Sequence, residues 1–292
     1  MKRILVILAM GLFLVQTAFV CAESLSDYTN QIKTPGTQRA VHGVITDLAN
    51  TMPDDCVKQT KIDRDYTFEE FETRPIVLLS ATGVSPAGVT GEEDLMAFED
   101  NIFEFHILGA GQTIVAPVMA AAGLDIGMDQ TYDEGVEISQ GILANSRSAF
   151  VVGTAAPFFV SVKFTIGDVT GTDDCAVGFR SVKDYQANID DYDEMACLNN
   201  IEGDIYIHTI LNDGNTSDTN TTDVWADTEE HTLAVYVDTA GAVTYLIDGT
   251  APATTAAFSF DTTEVVVPFL YFLNDTDLSG NCTLQSWECG LQ

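Results

Sequence analysis

An alternation of apolar and polar side chains over residues 158–166, interrupted only at Phe159, constrains the fold more than any other feature of the sequence. Val162 and Phe164 belong to one set of positions, and Ser161 and Lys163 belong to the other. Successive side chains of a β-strand point to opposite faces, so this period of two predicts a strand with one buried face.

The same pattern recurs further along the chain. Residues 233–237 and 243–247 alternate on either side of a Thr-Ala-Gly turn, which predicts a hairpin. The run 265–273 has no polar side chain except the Tyr271 hydroxyl, so it is predicted to be buried on both sides. Other apolar runs between turn residues predict strands at 75–80, 102–108, 112–118, 135–140, 148–153, 175–182, 204–211 and 282–288.

More than ten strands within residues 74–292 predict an all-β domain, a two-sheet antiparallel jelly-roll sandwich, with a barrel as the alternative. Residues 23–73 are mixed and polar, and they are predicted to form a short N-terminal extension. Helical pieces are expected there at 38–51 and 68–72.

Residues 1–22 have the three parts of a secretory signal peptide: two basic residues, an apolar run and a small residue, Ala22, at the cleavage position. We expect cleavage after Ala22 and a secreted or periplasmic mature protein. The alternatives are an uncleaved membrane anchor and a lipid attached at Cys21.

The chain carries 44 acidic and 12 basic residues, a formal net charge of -32. Such a charge excludes a nucleic-acid binder that is held by phosphate contacts, and it disfavours anionic membranes. Because 46% of the residues are hydrophobic, the chain is also too apolar to be a disordered acidic tail.

Four segments, taken in order, resemble concanavalin A-like and laminin G-like jelly rolls. They are the hairpin at 230–238 (EHTLAVYVD) and 245–249 (YLIDG), the run 267–272 (VPFLYF) and the closing segment 284–290 (LQSWECG). The resemblance implies that fold for residues 74–292. Similar jelly rolls occur in secreted lectins, in glycan-cleaving enzymes and in structural proteins of marine bacterial viruses, so the fold leaves the function open.

Glycosidases of this fold class carry two acids on one strand in the pattern Glu-x-Asp-x-x-Glu. Here Glu92 and Asp94 match, but Ala97 occupies the last position. Glu134 and Glu137 are a non-standard pair that nothing in the sequence directs toward a shared substrate. The chain has no Gly-x-Ser-x-Gly elbow and no close pair of histidines, so we expect no enzymatic activity.

Calcium is the one cofactor that the sequence suggests. Asp275, Asp277 and Ser279 precede a glycine in the pattern of the first half of an EF-hand loop, but the twelfth position is serine rather than glutamate. Acidic groups at 173–174 and 190–194 are further candidates. For each of them a solvated acidic loop is the alternative.

A ligand site is predicted at a polar loop, residues 212–222, that precedes Trp225. Trp225 is interpreted as an aromatic platform for a sugar ring, with Asp213 and Asn215 as partners for its hydroxyl groups. The alternative is that Trp225 folds over the edge of the sandwich.

Five cysteines remain once Cys21 is removed with the signal peptide, so at least one thiol stays unpaired. Cys175 with Cys197 and Cys282 with Cys289 are the predicted local disulfides, and buried free thiols are the alternative.

These observations favour a secreted, non-enzymatic jelly roll that binds carbohydrate or another surface partner. A structural or decoration protein of a virus particle or cell surface is the alternative. A glycoside hydrolase-like enzyme is the second alternative.

Overall fold

The computed structural model describes residues 66–71, 77–79, 94–97, 101–108, 118–126, 134–140, 149–275 and 282–292. The strands in these ranges are β1 (Tyr66–Glu70), β2 (Val77–Leu79), β3 (Asp94–Ala97), β4 (Ile102–Leu108), β5 (Val118–Ala120), β6 (Gly123–Asp125), β7 (Gly135–Ser139), β8 (Phe150–Val151), β9 (Phe158–Ile166), β10 (Thr172–Ser181), β11 (Met195–Ile201), β12 (Asp204–Ile210), β13 (Ser217–Val224), β14 (Glu230–Val237), β15 (Val243–Ile247), β16 (Val265–Asn274) and β17 (Cys282–Leu291). Two short 3-10 helices, Val169–Gly171 and Ile189–Asp191, complete the regular structure of the described ranges.

The strands form two sheets in which every pairing is antiparallel. The smaller sheet has the order β15-β14-β9-β17-β6-β5, and β1 also pairs with β17. The larger sheet has the order β13-β12-β11-β10-β16-β7-β4-β3-β2, and β8 also pairs with β16. The predicted all-β, two-sheet sandwich is confirmed.

In the described part of the chain, no helix has the length and apolar character needed to cross a membrane.

The strands that were predicted from alternation form as expected. Along β9 every second residue is buried, and the residues between them are half-buried. In β16 every residue after Val265 is buried. β14 and β15 form the predicted hairpin, whose turn contains Gly241 with φ +89°. A side chain at Gly241 would also bring a Cβ to 2.4 Å from the Phe260 carbonyl oxygen, so glycine fits this turn on two grounds.

One apolar core fills the space between the two sheets. Trp287 of β17 packs edge-on against Phe103 of β4, with ring centroids 5.5 Å apart. Phe158 of β9 packs edge-on against Phe179 of β10 at 5.0 Å. Because each pair joins one sheet to the other, aromatic packing holds the two layers together.

The structure corrects several expectations about individual segments. Residues 66–70 form a strand that pairs with the last strand of the chain, so the helix expected at 68–72 is wrong, and the smaller sheet includes residues assigned to the extension. β3, β6, β11 and β13 were not predicted. The signal peptide, the helical piece at 38–51 and most of the strand expected at 112–118 lie outside the described residues.

Both predicted disulfide pairings are wrong. Cys175 points into the core between the sheets, whereas Cys197 belongs to a second apolar cluster on the opposite face of the larger sheet. Cys282 and Cys289 are both on β17, seven residues and roughly 23 Å apart at 3.3 Å per residue. A disulfide needs Cα atoms within about 7 Å, so the pair on β17 cannot close.

Candidate ligand site on the outer face of the larger sheet

The face of the larger sheet that points away from the core, called here the outer face, carries many polar side chains. The register places two neighbouring rows across it. One row is Tyr206, Asn199, Ala176, Tyr271, Glu137 and His106, and the other is His208, Cys197, Gly178, Phe269, Ser139 and Glu104. An outer sheet face with this many ionisable and amide groups is a candidate binding surface.

One part of the outer face is covered by residues 182–194, a segment called here the strap. Ile189 and Tyr192 of the strap are buried, and they join the apolar cluster that contains Phe269 and Tyr271. The Tyr271 hydroxyl donates a hydrogen bond to the carbonyl oxygen of Ala187 at 2.8 Å. The strap therefore packs on the sheet through a small apolar layer of its own.

A fully buried ion pair lies under the strap. Arg180 Nε is 2.6 Å from Glu137 Oε1, and neither side chain is exposed. The Tyr192 hydroxyl donates to the other oxygen of Glu137, and the Arg180 guanidinium lies 4.6 Å from the centre of the Tyr192 ring. Burial raises the pKa of Glu137, while Arg180 and Tyr192 lower it. Both carboxylate oxygens are thus occupied by groups of the protein itself.

The strap closes this part of the face further through Tyr185. Its ring stacks on His106 with centroids 4.8 Å apart and planes inclined by 8°. The Tyr185 and Ser139 hydroxyl oxygens lie 3.4 Å apart. The strap therefore covers outer-face side chains on β4 and β7 as well as Tyr271 on β16.

The other part of the outer face, on β10 to β13, is less covered. Tyr206 and Asp174 are half-buried, and Asn220, next to Tyr206 in the register, is exposed. Asn199, directly opposite Tyr206 on β11, donates to Asp174 Oδ1 at 2.5 Å and accepts from the Cys175 backbone N–H at 2.9 Å. Asn199 itself is fully buried, so the accessible groups of this surface, called here the open patch, are the Tyr206 ring, the Asn220 amide and the Asp174 carboxyl.

Acidic side chains surround the carboxyl of the open patch. The pKa of Asp174 is raised to about 7, chiefly by burial and also by the charges of Asp173, Asp190 and Asp218, against the opposing hydrogen bond from Asn199. Asp174 thus binds its proton more tightly than a solvated aspartate does.

His208 connects the strap to the edge of the larger sheet. Its Nε2 atom is 3.1 Å from Asp190 of the strap, and its Nδ1 atom is 2.8 Å from Asp218 of β13. The Thr216 hydroxyl donates to the same Asp190 oxygen at 2.8 Å. These contacts fix the boundary between the strap and the open patch.

The predicted aromatic platform is wrong, because Trp225 is only 2% exposed. Its ring packs 4.8 Å from Phe164 and 4.6 Å from His231, and its Nε1 donates to the Glu229 carbonyl at 3.0 Å. The alternative interpretation, a tryptophan folded over the sandwich, describes its position.

Asp213 and Asn215, the other predicted ligand residues, are exposed, but they are not near Trp225. They precede β13 and Trp225 follows it, so the strand separates them by roughly 26 Å. The structure therefore does not assemble the predicted site.

Of the predicted calcium ligands, only Asp275 lies within the described residues, where its backbone N–H donates to the Gly171 carbonyl at 2.9 Å. Asp277 and Ser279 lie outside them. Within the described ranges, no group of three or more His, Cys, Asp or Glu residues is arranged to hold a metal ion.

Structure comparison finds matches among solved structures, each with low sequence identity and a low TM-score. They include the carbohydrate recognition domain of Emp46p in its potassium-bound form, with TM-score 0.44 and 4% identity over 64% of this chain and 88% of that chain. A beta-glucanase from Bacillus licheniformis has TM-score 0.42 and 11% identity over 78% and 98%. A galectin from Caenorhabditis elegans has TM-score 0.33 and 11% identity over 49% and 89%. No family model and no curated protein matches the sequence.

Proposed function

We propose that the protein is an exported, non-enzymatic jelly roll that binds a neutral glycan at the open patch. One observation carries the proposal: Tyr206 presents a half-buried ring on the outer face, between Asn220 and Asn199 in the register, and Asn199 in turn donates to Asp174. Binding sites for small ligands combine apolar or aromatic surface with a few oriented polar groups, and the open patch has both.

Each group of the open patch suits a part of a sugar. The half-buried Tyr206 ring offers apolar area to the C–H groups of a pyranose ring. The Asn220 amide oxygen already accepts from the Thr222 backbone N–H at 2.7 Å, so its NH2 group is the donor for sugar hydroxyls, and the carboxyl of Asp174 accepts from them. A formal net charge of -32 favours a neutral glycan over an acidic one.

The buried ion pair argues against a catalytic role for Glu137. A glycosidase needs two carboxyl groups on either side of the scissile bond. Glu137, one of the two acids considered from the sequence, has both oxygens engaged under the strap by Arg180 and Tyr192. Glu134 precedes the same strand, and its backbone carbonyl accepts from Asn274. We therefore propose no catalytic role for this pair.

The test compares two tyrosines that occupy half-buried positions on opposite faces of the sandwich. Tyr206→Ala should raise the Kd for a neutral oligosaccharide by about 30-fold, since loss of an aromatic anchor costs on the order of 2 kcal/mol. Tyr236→Ala is the matched control, because Tyr236 lies on the smaller sheet and stacks on Phe159 at 5.4 Å. Glycan-array screening of the wild type would supply the ligand, and calorimetry would give both Kd values.

Equal Kd values for the two variants would refute the open patch as the site. Absence of saturable binding to any neutral glycan would refute the lectin function itself. In that case a multicopy assembly seen by electron microscopy would favour a structural role.

Export is part of the proposal and has its own test. The mature chain is expected to begin at Glu23, since Ala22 suits the cleavage position and the apolar run precedes it. N-terminal sequencing of protein from the culture medium or periplasm would measure this, and a retained Met1 would contradict it.

A further inference from the structure

Two of the buried cysteines meet across the core of the sandwich. Cys175 belongs to β10 of the larger sheet and Cys282 is the first residue of β17 in the smaller sheet. Both side chains are 0% exposed, and both belong to the apolar cluster between the sheets. They therefore approach each other from opposite layers.

The topology explains why these two positions coincide. β9 ends at Ile166, and the chain crosses to the larger sheet to begin β10 at Thr172. β16 ends at Asn274, which is opposite Thr172, and the chain crosses back to begin β17 at Cys282, which is opposite Ile166. Both crossings are at the same end of the sandwich. Cys175 is three residues inside that end, so the two cysteines face each other there.

Both thiols are free and buried in the structure, and Cys282 is close enough to Cys175 to raise the pKa of its thiol. Packed sheets lie about 10 Å apart, and side chains that point inward from both can bridge that gap with one disulfide, as in immunoglobulin domains. We propose that Cys175 and Cys282 form an inter-sheet disulfide in the exported protein.

The other described cysteines have different surroundings. Cys197 is on the outer side of the larger sheet, where its sulfur lies 3.6 Å from the His208 carbonyl oxygen. Cys289 is seven residues further along β17 than Cys282, and its thiol donates to Gln140 Oε1 at 2.8 Å. The geometry thus assigns one specific connectivity among the four cysteines of the described ranges.

Closing the bond requires an oxidant, for which we name a low-molecular-weight aliphatic disulfide such as oxidised glutathione. One protein thiolate attacks a sulfur of this disulfide and releases one small thiol, which gives a mixed disulfide. The second protein thiolate then displaces the other small thiol and completes the bond. Overall, the two protein thiols are oxidised, and the small disulfide is reduced to two thiols that take up both protons.

The closed structure favours formation of the bond during folding rather than after it. Burial raises the pKa of Cys175 well above its ordinary value, and the neighbouring Cys282 raises it further. Since the thiolate is the nucleophile, exchange in the folded protein should be slow. We expect the bond to form before β17 packs onto the core.

The test uses the full chain refolded in a reduced and oxidised glutathione mixture. Peptide mapping by mass spectrometry without reduction should find the Cys175 peptide linked to the Cys282 peptide. Because the loop closed is about 100 residues long, reduction should lower Tm by on the order of 10 °C. Cys175→Ala, Cys282→Ala and the double variant should all lose this redox-dependent shift.

Cys197→Ala and Cys289→Ala are the matched controls, and both should keep the linked peptide and the shift. Complete alkylation of Cys175 and Cys282 in the oxidised, denatured wild type would overturn the proposal, as would a peptide linked in any other combination. The wild-type map decides the question even where a variant fails to fold.

Discussion

Asp174 is expected to make the protein less stable as the pH rises from about 4 to about 7. Its pKa is raised from 3.8 to about 7, chiefly by burial and then by Asp173, Asp190 and Asp218. Between these two values the unfolded chain has lost the proton while the native protein still holds it. The native state therefore binds more protons in this window, and stability falls with rising pH.

The substitution Asp174→Asn removes this penalty and keeps the shape of the side chain. The asparagine oxygen still accepts from Asn199, whose Nδ2 is 2.5 Å from Asp174 Oδ1 in the wild type. The difference between 3.8 and about 7 corresponds to about 4 kcal/mol at most. Asp174 is partly exposed, so solvent screening should reduce the gain to about 2 kcal/mol above pH 7.

Urea unfolding of both proteins from pH 3.5 to 8 would measure this gain. The free energies should nearly coincide at the acid end and separate progressively up to about pH 7, where Tm of the variant should be about 4 to 8 °C higher. Asp184→Asn, which removes the same charge from an exposed position on the strap, should show no such pH-dependent separation. A difference that is constant with pH, or a variant less stable than wild type at pH 8, would refute the reasoning.

Three further substitutions test the core, the ion pair and the calcium loop. Trp225→Ala should cost about 3 to 5 kcal/mol of stability, as for a core aromatic, measured by urea unfolding. Arg180→Met should cost about 3 to 5 kcal/mol because it leaves Glu137 buried without a counter-ion, and adding Glu137→Met should recover most of the loss. Calcium should raise Tm of the wild type, and Asp275→Ala with Asp277→Ala should abolish the increment. Identical wild-type melting with calcium and with chelator would rule that site out.

The sequence predicted those strands whose burial follows a simple rule. β9 alternates along its length, and β16 is apolar on both faces, so burial alone identifies them. β13 (SDTNTTDV) was interpreted as a loop, because an edge strand with mostly exposed residues carries no apolar signal. β11 (MACLNNI) was missed because Asn199 and Asn200, which are fully buried, read as turn residues.

Contacts between residues far apart in the chain determine the structure of the segments that were predicted wrongly from local sequence. Residues 66–70 resemble a helical piece when taken alone, but Tyr66 pairs with Gly290 and Glu70 with Ser286 across more than two hundred residues of chain. Trp225 looked exposed because a polar run precedes it. The second half of that run belongs to strand β13 of the larger sheet, and Trp225, just after its end, packs on Phe164 of β9 in the smaller sheet.

The candidate site is the part of the outer face that the strap leaves uncovered. No local sequence pattern predicts where the strap packs. In the strap, Ile189 and Tyr192 alternate with acidic residues, and the sequence suggested a solvated loop or a calcium site there. In the structure the acids Asp190 and Asp191 are exposed, while the two apolar residues pack onto the outer face. Burial of the Arg180–Glu137 pair follows from this packing. Because the strap occupies the outer face over β16, β7 and β4, the open patch around Tyr206 is the part of that face, among the described residues, that the strap leaves accessible to a ligand.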